Sequence, residues 1–373
     1  RNCLKITGHC FHAPIKLYHQ CPDRIFPSIC YLSAGTRSPS VPVGGHMLRA
    51  RITGTGSAVP DKVLTNHDLE KLVDTNDEWI TTRTGIKQRR IAAENEYTST
   101  FATLAARRAL EMAGVSPEEL DLIILGTVTP DFPFPATSCI IQKELGAHNA
   151  AAFDLSAACS GFIYGLNMAE AYIKSGMARK VLVMGAEVLT RIVDFTDRNT
   201  CILFGDGAGA VVVEADNGEQ GILSSHIFTN GTYWGLLYQP GCGGRNPATA
   251  PNTFTDKLHY LRMEGNEVFK HAVRAMGDAA VAALEHNAVI ADDVSLLIPH
   301  QANRRIIEAT GKRVGIPEER IFVNLHKYGN TSSASIPLAL DEANREGRLK
   351  SGDLILLDAF GGGFTYGSVL LKW

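Results

Sequence analysis

The sequence predicts an α/β fold made of two similar halves. Three observations carry this. The chain has 373 residues, enough for a double core; beyond Met47 strand-like and helix-like segments alternate; and the later half echoes the earlier one.

Residues 1–46 stand apart from that pattern. They show no helix or strand period, they hold Cys3, Cys10, Cys21 and Cys30, and Asp23 is their one acid. They read as upstream sequence outside the fold, with a transit peptide as the alternative, although no Arg-rich amphipathic helix is evident. Leu48, Arg49, Ala50, Arg51 and Ile52, leading into Gly54 and Gly56, then predict the first strand and turn.

The echo runs through two pairs of blocks. An Ala-rich helix over 101–113, a turn at Pro117 and the apolar run Leu122, Ile123, Ile124 match a helix over 266–285 followed by Leu296, Leu297, Ile298. Next, Phe153 and Leu155 lead into a helix beginning near Cys159 and ending at Ser175-Gly176. Likewise Phe322, Val323 and Leu325 lead into a helix after Asn330 that ends at Ser351-Gly352. An offset of about 170 residues in both comparisons predicts a duplication, with halves at 47–220 and 221–373. The helix near Cys159 and the helix after Asn330 then hold equivalent places, and their N-termini can face one central site.

Composition narrows the function classes. The apolar fraction is 45% and the net charge is -3, so no global basic field favours nucleic acid or an anionic membrane surface. No apolar run approaches the ~20 residues of a bilayer span, so membrane insertion is not expected. The eight cysteines form neither a dense disulfide framework nor a CxxC zinc pattern, so a cytoplasmic setting and no metal site are expected. An organellar address would follow only if residues 1–46 were a transit peptide.

Four places carry chemistry. Cys159 follows Ser156, Ala157 and Ala158 and precedes a helical pattern; a thiol at a helix N-terminus is biased toward thiolate, though a Cys among alanines is also a common small core residue. His300 ends the strand Leu296, Leu297, Ile298, Pro299, where α/β folds place sites, but a loop histidine is the plain alternative. Asn330 precedes Thr331, Ser332 and Ser333, a segment equally suited to capping a helix. Gly361, Gly362 and Gly363 follow a strand and either free backbone N–H groups for an oxyanion or make a simple turn.

Taken together these blocks resemble a family. DEWI and RTGI (77–80, 83–86), ACSGF (158–162), FGDGAGA (204–210), EGNEVFK (264–270), PHQAN (299–303), GNTSSAS (329–335) and FGGGF (360–364) resemble 3-oxoacyl-[acyl-carrier-protein] synthase III in order and spacing, over essentially 48–373. The resemblance implies a thiolase-like fold of two fused βαβαβαββ-type halves in a layered α/β arrangement, and a homodimer. It implies a decarboxylative condensation of a short acyl-CoA with malonyl-acyl-carrier protein, without metal or redox cofactor.

The same resemblance assigns roles. Cys159 matches the nucleophile, His300 and Asn330 its partners, and the N–H groups of Cys159 and Gly362 the oxyanion hole. Asn330 stands where elongating synthases carry a second His, and Phe360 where degradative thiolases carry a Cys. Trp79 and Arg198 match an adenine sandwich, with Thr75 and Arg83 as nearby CoA contacts. Gly265, Asn266 and Phe269 match positions near the pantetheine tunnel, Phe204 and Asn303 further substrate- or CoA-binding positions, and Phe134 a residue that reaches the partner subunit's acyl pocket. Arg305, Arg304 and Lys312 match a dock for the acidic carrier protein, although Arg304 departs from an expected apolar residue.

Two other readings remain at this stage. A cysteine hydrolase also uses Cys, His and Asn in this order, but the CGxCW-type context is missing. A related condensing enzyme of secondary metabolism, with a different primer, shares the whole triad.

Overall fold

The computed structural model describes residues 48–373, so the expectations for residues 1–46 lie outside the described residues. In the first half, β1 (Arg49–Ala58) leads through a small ribbon of β2 (Val63–Thr65) and β3 (Gln88–Arg90) that encloses α1 (Asn66–Leu69) and α2 (Asp77–Thr84). There follow α3 (Thr98–Ala113), β4 (Leu122–Gly126), α4 (Thr137–Leu145), β5 (Ala151–Leu155), α5 (Gly161–Lys174), β6 (Lys180–Val188) and β7 (Asp206–Asp216). The sheet order is β1-β7-β6-β4-β5; β4 is parallel to β5 and β6, and β7 is antiparallel to β6 and β1.

The second half opens on β8 (Gly221–Thr229). A second ribbon of β9 (Leu237–Tyr238) and β10 (Arg262–Met263) flanks α6 (Asn252–Thr255). Then come α7 (Gly265–His286), β11 (Leu296–Pro299), α8 (Arg304–Val314), α9 (Leu325–Tyr328), α10 (Ser335–Arg345), β12 (Leu354–Gly361) and β13 (Thr365–Lys372). Its sheet, β11-β12-β13-β8, repeats the pairing of β4-β6-β7-β1, and the counterpart of β5 shrinks to one bridge, Leu297 to Ile321. Leu122 and Leu296 open equivalent strands, and the left-handed residues Ala158 (φ 46) and Ser332 (φ 50) open equivalent turns.

Five layers result from this duplication. One core cluster joins the inner faces of both sheets to Phe162, Ile163, Leu166, Ala169 and Ile173 of α5 and to Ile336, Ala339, Leu340 and Ala343 of α10. A second packs α3 on the outside of the first sheet, and a third packs α7 and α8 on the outside of the other. The central strands are covered on both faces, which is why they read as continuous apolar runs.

The α3 contact is unusually close. Ala102, Ala105, Ala106 and Ala109 are fully buried, and a Cβ on Gly56 would lie 2.2 Å from the Ala105 carbonyl oxygen. Gly56→Ala is therefore expected to destabilise the protein by about 1–3 kcal/mol, read as a lower midpoint in denaturant unfolding. An unchanged midpoint would mean that α3 can shift outward freely.

Candidate active site

The helix expected to begin near Cys159 begins instead at Gly161, and Cys159 lies in the 3-10 turn (Ala158–Ser160) that carries β5 into α5. The glycine loop abuts that turn: a Cβ on Gly361 would lie 2.6 Å from the Cys159 nitrogen. Thr365 clamps the two segments, its hydroxyl donating to Ala157 O at 2.7 Å while its carbonyl accepts from Ser160 Oγ at 3.0 Å. Among the described residues neither Cys159 N–H nor Gly362 N–H donates to another backbone carbonyl, and both residues line one cavity.

His300 follows β11 and is 2% exposed. Its N–H donates to Asp358 O at 2.7 Å, and its Nδ1 lies 2.6 Å from Ser335 Oγ. Ser335 Oγ also accepts from Gln301 N–H at 3.3 Å. With the Ser335 hydroxyl as donor to Nδ1, the ring proton is assigned to Nε2. Burial pushes the His300 pKa down to about 3, so the imidazole is neutral at physiological pH.

Asn330 is held by its backbone. Its N–H donates to Leu203 O at 2.8 Å, and its carbonyl accepts from Gly205 N–H at 3.0 Å, a bridge between the Phe204 loop and the segment ahead of α10. Side-chain Oδ1 accepts from Ser332 N–H at 2.8 Å, which leaves the amide NH2 as the group available to a ligand. That bond closes a turn onto Ser332 and caps no helix, since Thr331 and Ala334 hold the N-cap places of the 3-10 turn and of α10.

Electrostatics correct one expectation. A thiol at the N-terminus of α5 was expected to favour thiolate, yet burial pushes Cys159 up to about 12, helped by the negative Glu187 and opposed by the Ser332 hydroxyl. Desolvation outweighs the helix dipole because the sulfur is almost wholly enclosed.

Two cavities meet at this sulfur. One, of about 160 Å³, runs past Cys159, His300 and Asn330 and takes in Phe204, Gly265, Phe269 and Asn303. The other, also about 160 Å³, is lined by Val128, Leu189, Ile192 and Leu261 as well as Ser332 and Gly362. A larger groove of about 770 Å³ between α3 and α10 is edged by charged side chains and contains none of the predicted site residues.

The other predicted residues adjoin the first cavity only in part. Asn303, the N-cap of α8, donates to Arg83 O at 3.1 Å and so ties the tunnel to α2. Arg83 and Arg198 both stack on Trp79, 4.4 and 4.7 Å from the ring centre, so Trp79 and Arg198 are in direct contact with no slot between them. The Thr75 hydroxyl is buried without a hydrogen-bond partner among the described residues. Asn266 is exposed and does not line the cavity, because the first turn of α7 carries it outward. Phe134 is 85% exposed.

The basic cluster on α8 divides. Arg304 is tied to Glu308 and Glu318, and Arg313 to Asp278. Arg305 lies 5.4 Å over the Phe269 ring, and neither it nor Lys312 forms an ion pair among the described residues. Arg304 is thus a weak candidate for docking, since its charge is already met.

Sequence reasoning missed Ser335, Glu187 and the apolar tunnel walls Met263, Val268, Ala272 and Met276. Glu187 had a signal of the same kind as His300: a polar residue ending the apolar run Val181, Leu182, Val183, Met184.

The chain is similar to known proteins over most of its length. The pattern of 3-oxoacyl-[acyl-carrier-protein] synthase III matches residues 153–231, and that of its C-terminal part matches 284–373. The beta-ketoacyl-[acyl-carrier-protein] synthase III of Caldanaerobacter subterraneus subsp. tengcongensis is 55% identical over 326 residues, 87% of this chain and 98% of that protein. The crystal structure of 3-oxoacyl-[acyl-carrier-protein] synthase III from Aquifex aeolicus is similar with a TM-score of 0.81 at 54% identity, covering 87% of this chain and 100% of that one. The priming beta-ketosynthase of the R1128 polyketide pathway is similar with a TM-score of 0.81 at 38% identity, covering 90% and 99%.

The burial of Cys159 predicts its reactivity. Alkylation by iodoacetamide, followed by mass spectrometry, is expected to be slow at pH 7 and to rise about tenfold per pH unit beyond pH 10, because only the thiolate reacts. A plateau below pH 9 would show that the free enzyme holds a thiolate.

Proposed function

The chain belongs to the 3-oxoacyl-[acyl-carrier-protein] synthase III family, and on that premise we propose that Cys159, His300 and Asn330 perform its condensing acyl transfer. The substrates are a short acyl-CoA and malonyl-acyl-carrier protein; the products are 3-oxoacyl-carrier protein, CoA and carbon dioxide, the initiating step of fatty acid synthesis. The single observation that supports this best is one narrow cavity lined by all three side chains.

In the first half-reaction the Cys159 sulfur attacks the acyl-CoA carbonyl, and the N–H groups of Cys159 and Gly362 receive the oxyanion. In the second, loss of carbon dioxide from the malonyl group puts enolate charge on the thioester oxygen. The Nε2–H of His300 and the amide of Asn330 donate to it; both donors are neutral, which suits a site that excludes water. The enolate carbon then attacks the acyl group on Cys159.

The apolar cavity beyond Cys159 suits a short primer. Exposed Phe132 and Phe134 suit burial against a second copy in a homodimer, with Phe134 reaching the partner's acyl pocket. At the other end, Trp79 and Arg198 admit an adenine once they part, and the unpartnered Thr75 hydroxyl supplies a CoA contact. Arg305 and Lys312 face the acidic carrier protein. A cytoplasmic setting suits a reaction that requires Cys159 as a free thiol.

Labelled acetyl-CoA with malonyl-carrier protein is expected to yield acetoacetyl-carrier protein. Cys159→Ala should form no acyl-enzyme, whereas Asn330→Ala should acylate and then lose about 10²–10³ in condensation rate, the effect of one missing donor. Release of free acetate by the wild type would favour a hydrolase instead.

Carrier docking gives a second test. Arg305→Glu is expected to raise KM for malonyl-carrier protein while leaving KM for acetyl-CoA unchanged, with a smaller effect for Arg304→Glu. Equal effects of the two substitutions would remove the distinction drawn from the ion pairs.

A further inference from the structure

Arg89, the middle residue of β3, is fully buried. An enclosed arginine ordinarily faces a carboxylate, because a buried cation without one is costly. Here every partner of the guanidinium is a neutral oxygen. Nη1 donates to Leu64 O at 3.2 Å and to Asn66 Oδ1 at 2.9 Å, and Nη2 donates to Ile202 O at 2.7 Å. The Nε–H is buried without a partner among the described residues. Burial lowers the group to about 10, so it stays charged at neutral pH. The fold thus encloses a cation whose contacts all go to the chain itself.

The segment gripped at Ile202 is the one that holds Asn330. One residue on, Leu203 O accepts from Asn330 N–H at 2.8 Å, and Gly205 N–H donates back to Asn330 O at 3.0 Å. The arginine stem packs into the same junction: a Cβ on Gly205 would lie 3.0 Å from Arg89 Cβ, and one on Gly329 would lie 3.3 Å from it. Asn330 Oδ1 is committed to Ser332 N–H, so the aim of the amide NH2 into the cavity follows the backbone that Leu203 and Gly205 fix. At the other end, Asn66 is itself anchored, its Nδ2 donating to Asp77 Oδ1 and to Ile86 O, both at 2.8 Å. The planar fork of a guanidinium can hold both ends at once; a lysine ammonium is a single point charge and cannot. Phe204, on the same segment, is held separately by an apolar cluster with Leu69, Ile80 and Leu189.

We propose that Arg89 is a positioning residue for condensation, its guanidinium fixing the Ile202–Gly205 segment that aims the Asn330 amide at the developing enolate. This rests on the function proposed above. Arg89 touches no substrate. It acts through the backbone of Asn330, so its loss is felt where that amide is needed and not in the transfer of the acyl group to Cys159.

The test is a double-substitution cycle. Enzyme loaded on Cys159 with radiolabelled acetyl groups is mixed with malonyl-carrier protein. Single-turnover condensation is timed for Arg89→Gln, Arg89→Lys, Asn330→Ala and the Arg89→Gln, Asn330→Ala pair, and acylation by acetyl-CoA is timed separately. Arg89→Gln is expected to condense about 100-fold more slowly, the scale of a donor displaced by about an ångström. Its acylation rate and its half-saturating malonyl-carrier concentration should stay within about threefold of wild type. Arg89→Lys should recover part of the lost rate. In the Asn330→Ala background, Arg89→Gln should cost less than about threefold more, because the amide it aims is already gone. Equal losses in acylation and condensation, or the same loss with and without the Asn330 amide, would overturn the inference and mark a merely structural arginine. So would condensation at the wild-type rate. If Arg89→Gln does not fold, Asn66→Ala, which removes the one side-chain acceptor of the guanidinium, takes its place in the cycle. A loss of about tenfold that vanishes in the Asn330→Ala background is then expected, and an absent or additive loss overturns the inference. A wild-type enzyme that takes no label on Cys159 overturns the proposed function itself, before any variant is compared.

Discussion

The architecture depends on how closely the N-termini of α5 and α10 approach each other at the centre of the molecule. A Cβ on Gly161, the first residue of α5, would lie 3.3 Å from Ser333 Cβ ahead of α10, and one on Gly185 of β6 would lie 2.1 Å from Ser333 O. Those contacts admit only glycine or small side chains, and they bring the turn of Cys159 against the turn of Ser332 and Ser333. A polar anchor secures the same arrangement at its far end. Buried Asp341 of α10 accepts from Thr55 at 2.7 Å and Ser57 at 2.6 Å on β1, and pairs with Arg345 at 3.0 Å, so the second half is bound to the first sheet. A buried carboxylate is tolerated there because hydroxyls and a guanidinium replace its hydration.

Enclosure sets the electrostatic character of the site. Desolvation disfavours every ionised form, so Cys159 is held as a thiol and His300 as a neutral imidazole. Neutral donors suit a developing enolate, since they stabilise its charge without competing for a proton at rest. The same enclosure makes the unionised thiol a poor nucleophile. Burial thus improves the second half-reaction and burdens the first.

The tunnel mouth obeys different rules, because solvent screens its charges. Arg304 and Arg313 are spent on neighbouring carboxylates, while Arg305 keeps its charge beside Phe269 at the cavity rim. Stacking of Arg83 and Arg198 on Trp79 keeps the aromatic surface covered in the free enzyme. In the function proposed above, ligand entry there would exchange one stacking partner for another, with little reorganisation of the backbone.

The sequence by itself carried the α/β class and the repeat of about 170 residues, and it singled out Cys159, His300 and Asn330 as candidates. These were legible because each rests on local chemistry: apolar runs doubly buried in a sheet, turns rich in small residues, polar groups at strand ends. Of the residues named by resemblance, Phe204, Gly265, Phe269 and Asn303 line the cavity at Cys159, while the first-turn position of Asn266 leaves it exposed. Tertiary structure alone decided what those groups are chemically. The protonation of Cys159 follows from burial by segments far away in sequence, and the tautomer of His300 follows from Ser335, 35 residues on. Whether an arginine is free or paired depended on which carboxylates the fold delivered beside it. Sequence spacing encodes which groups can meet; the dielectric and the partners at the meeting point arise only when distant elements pack.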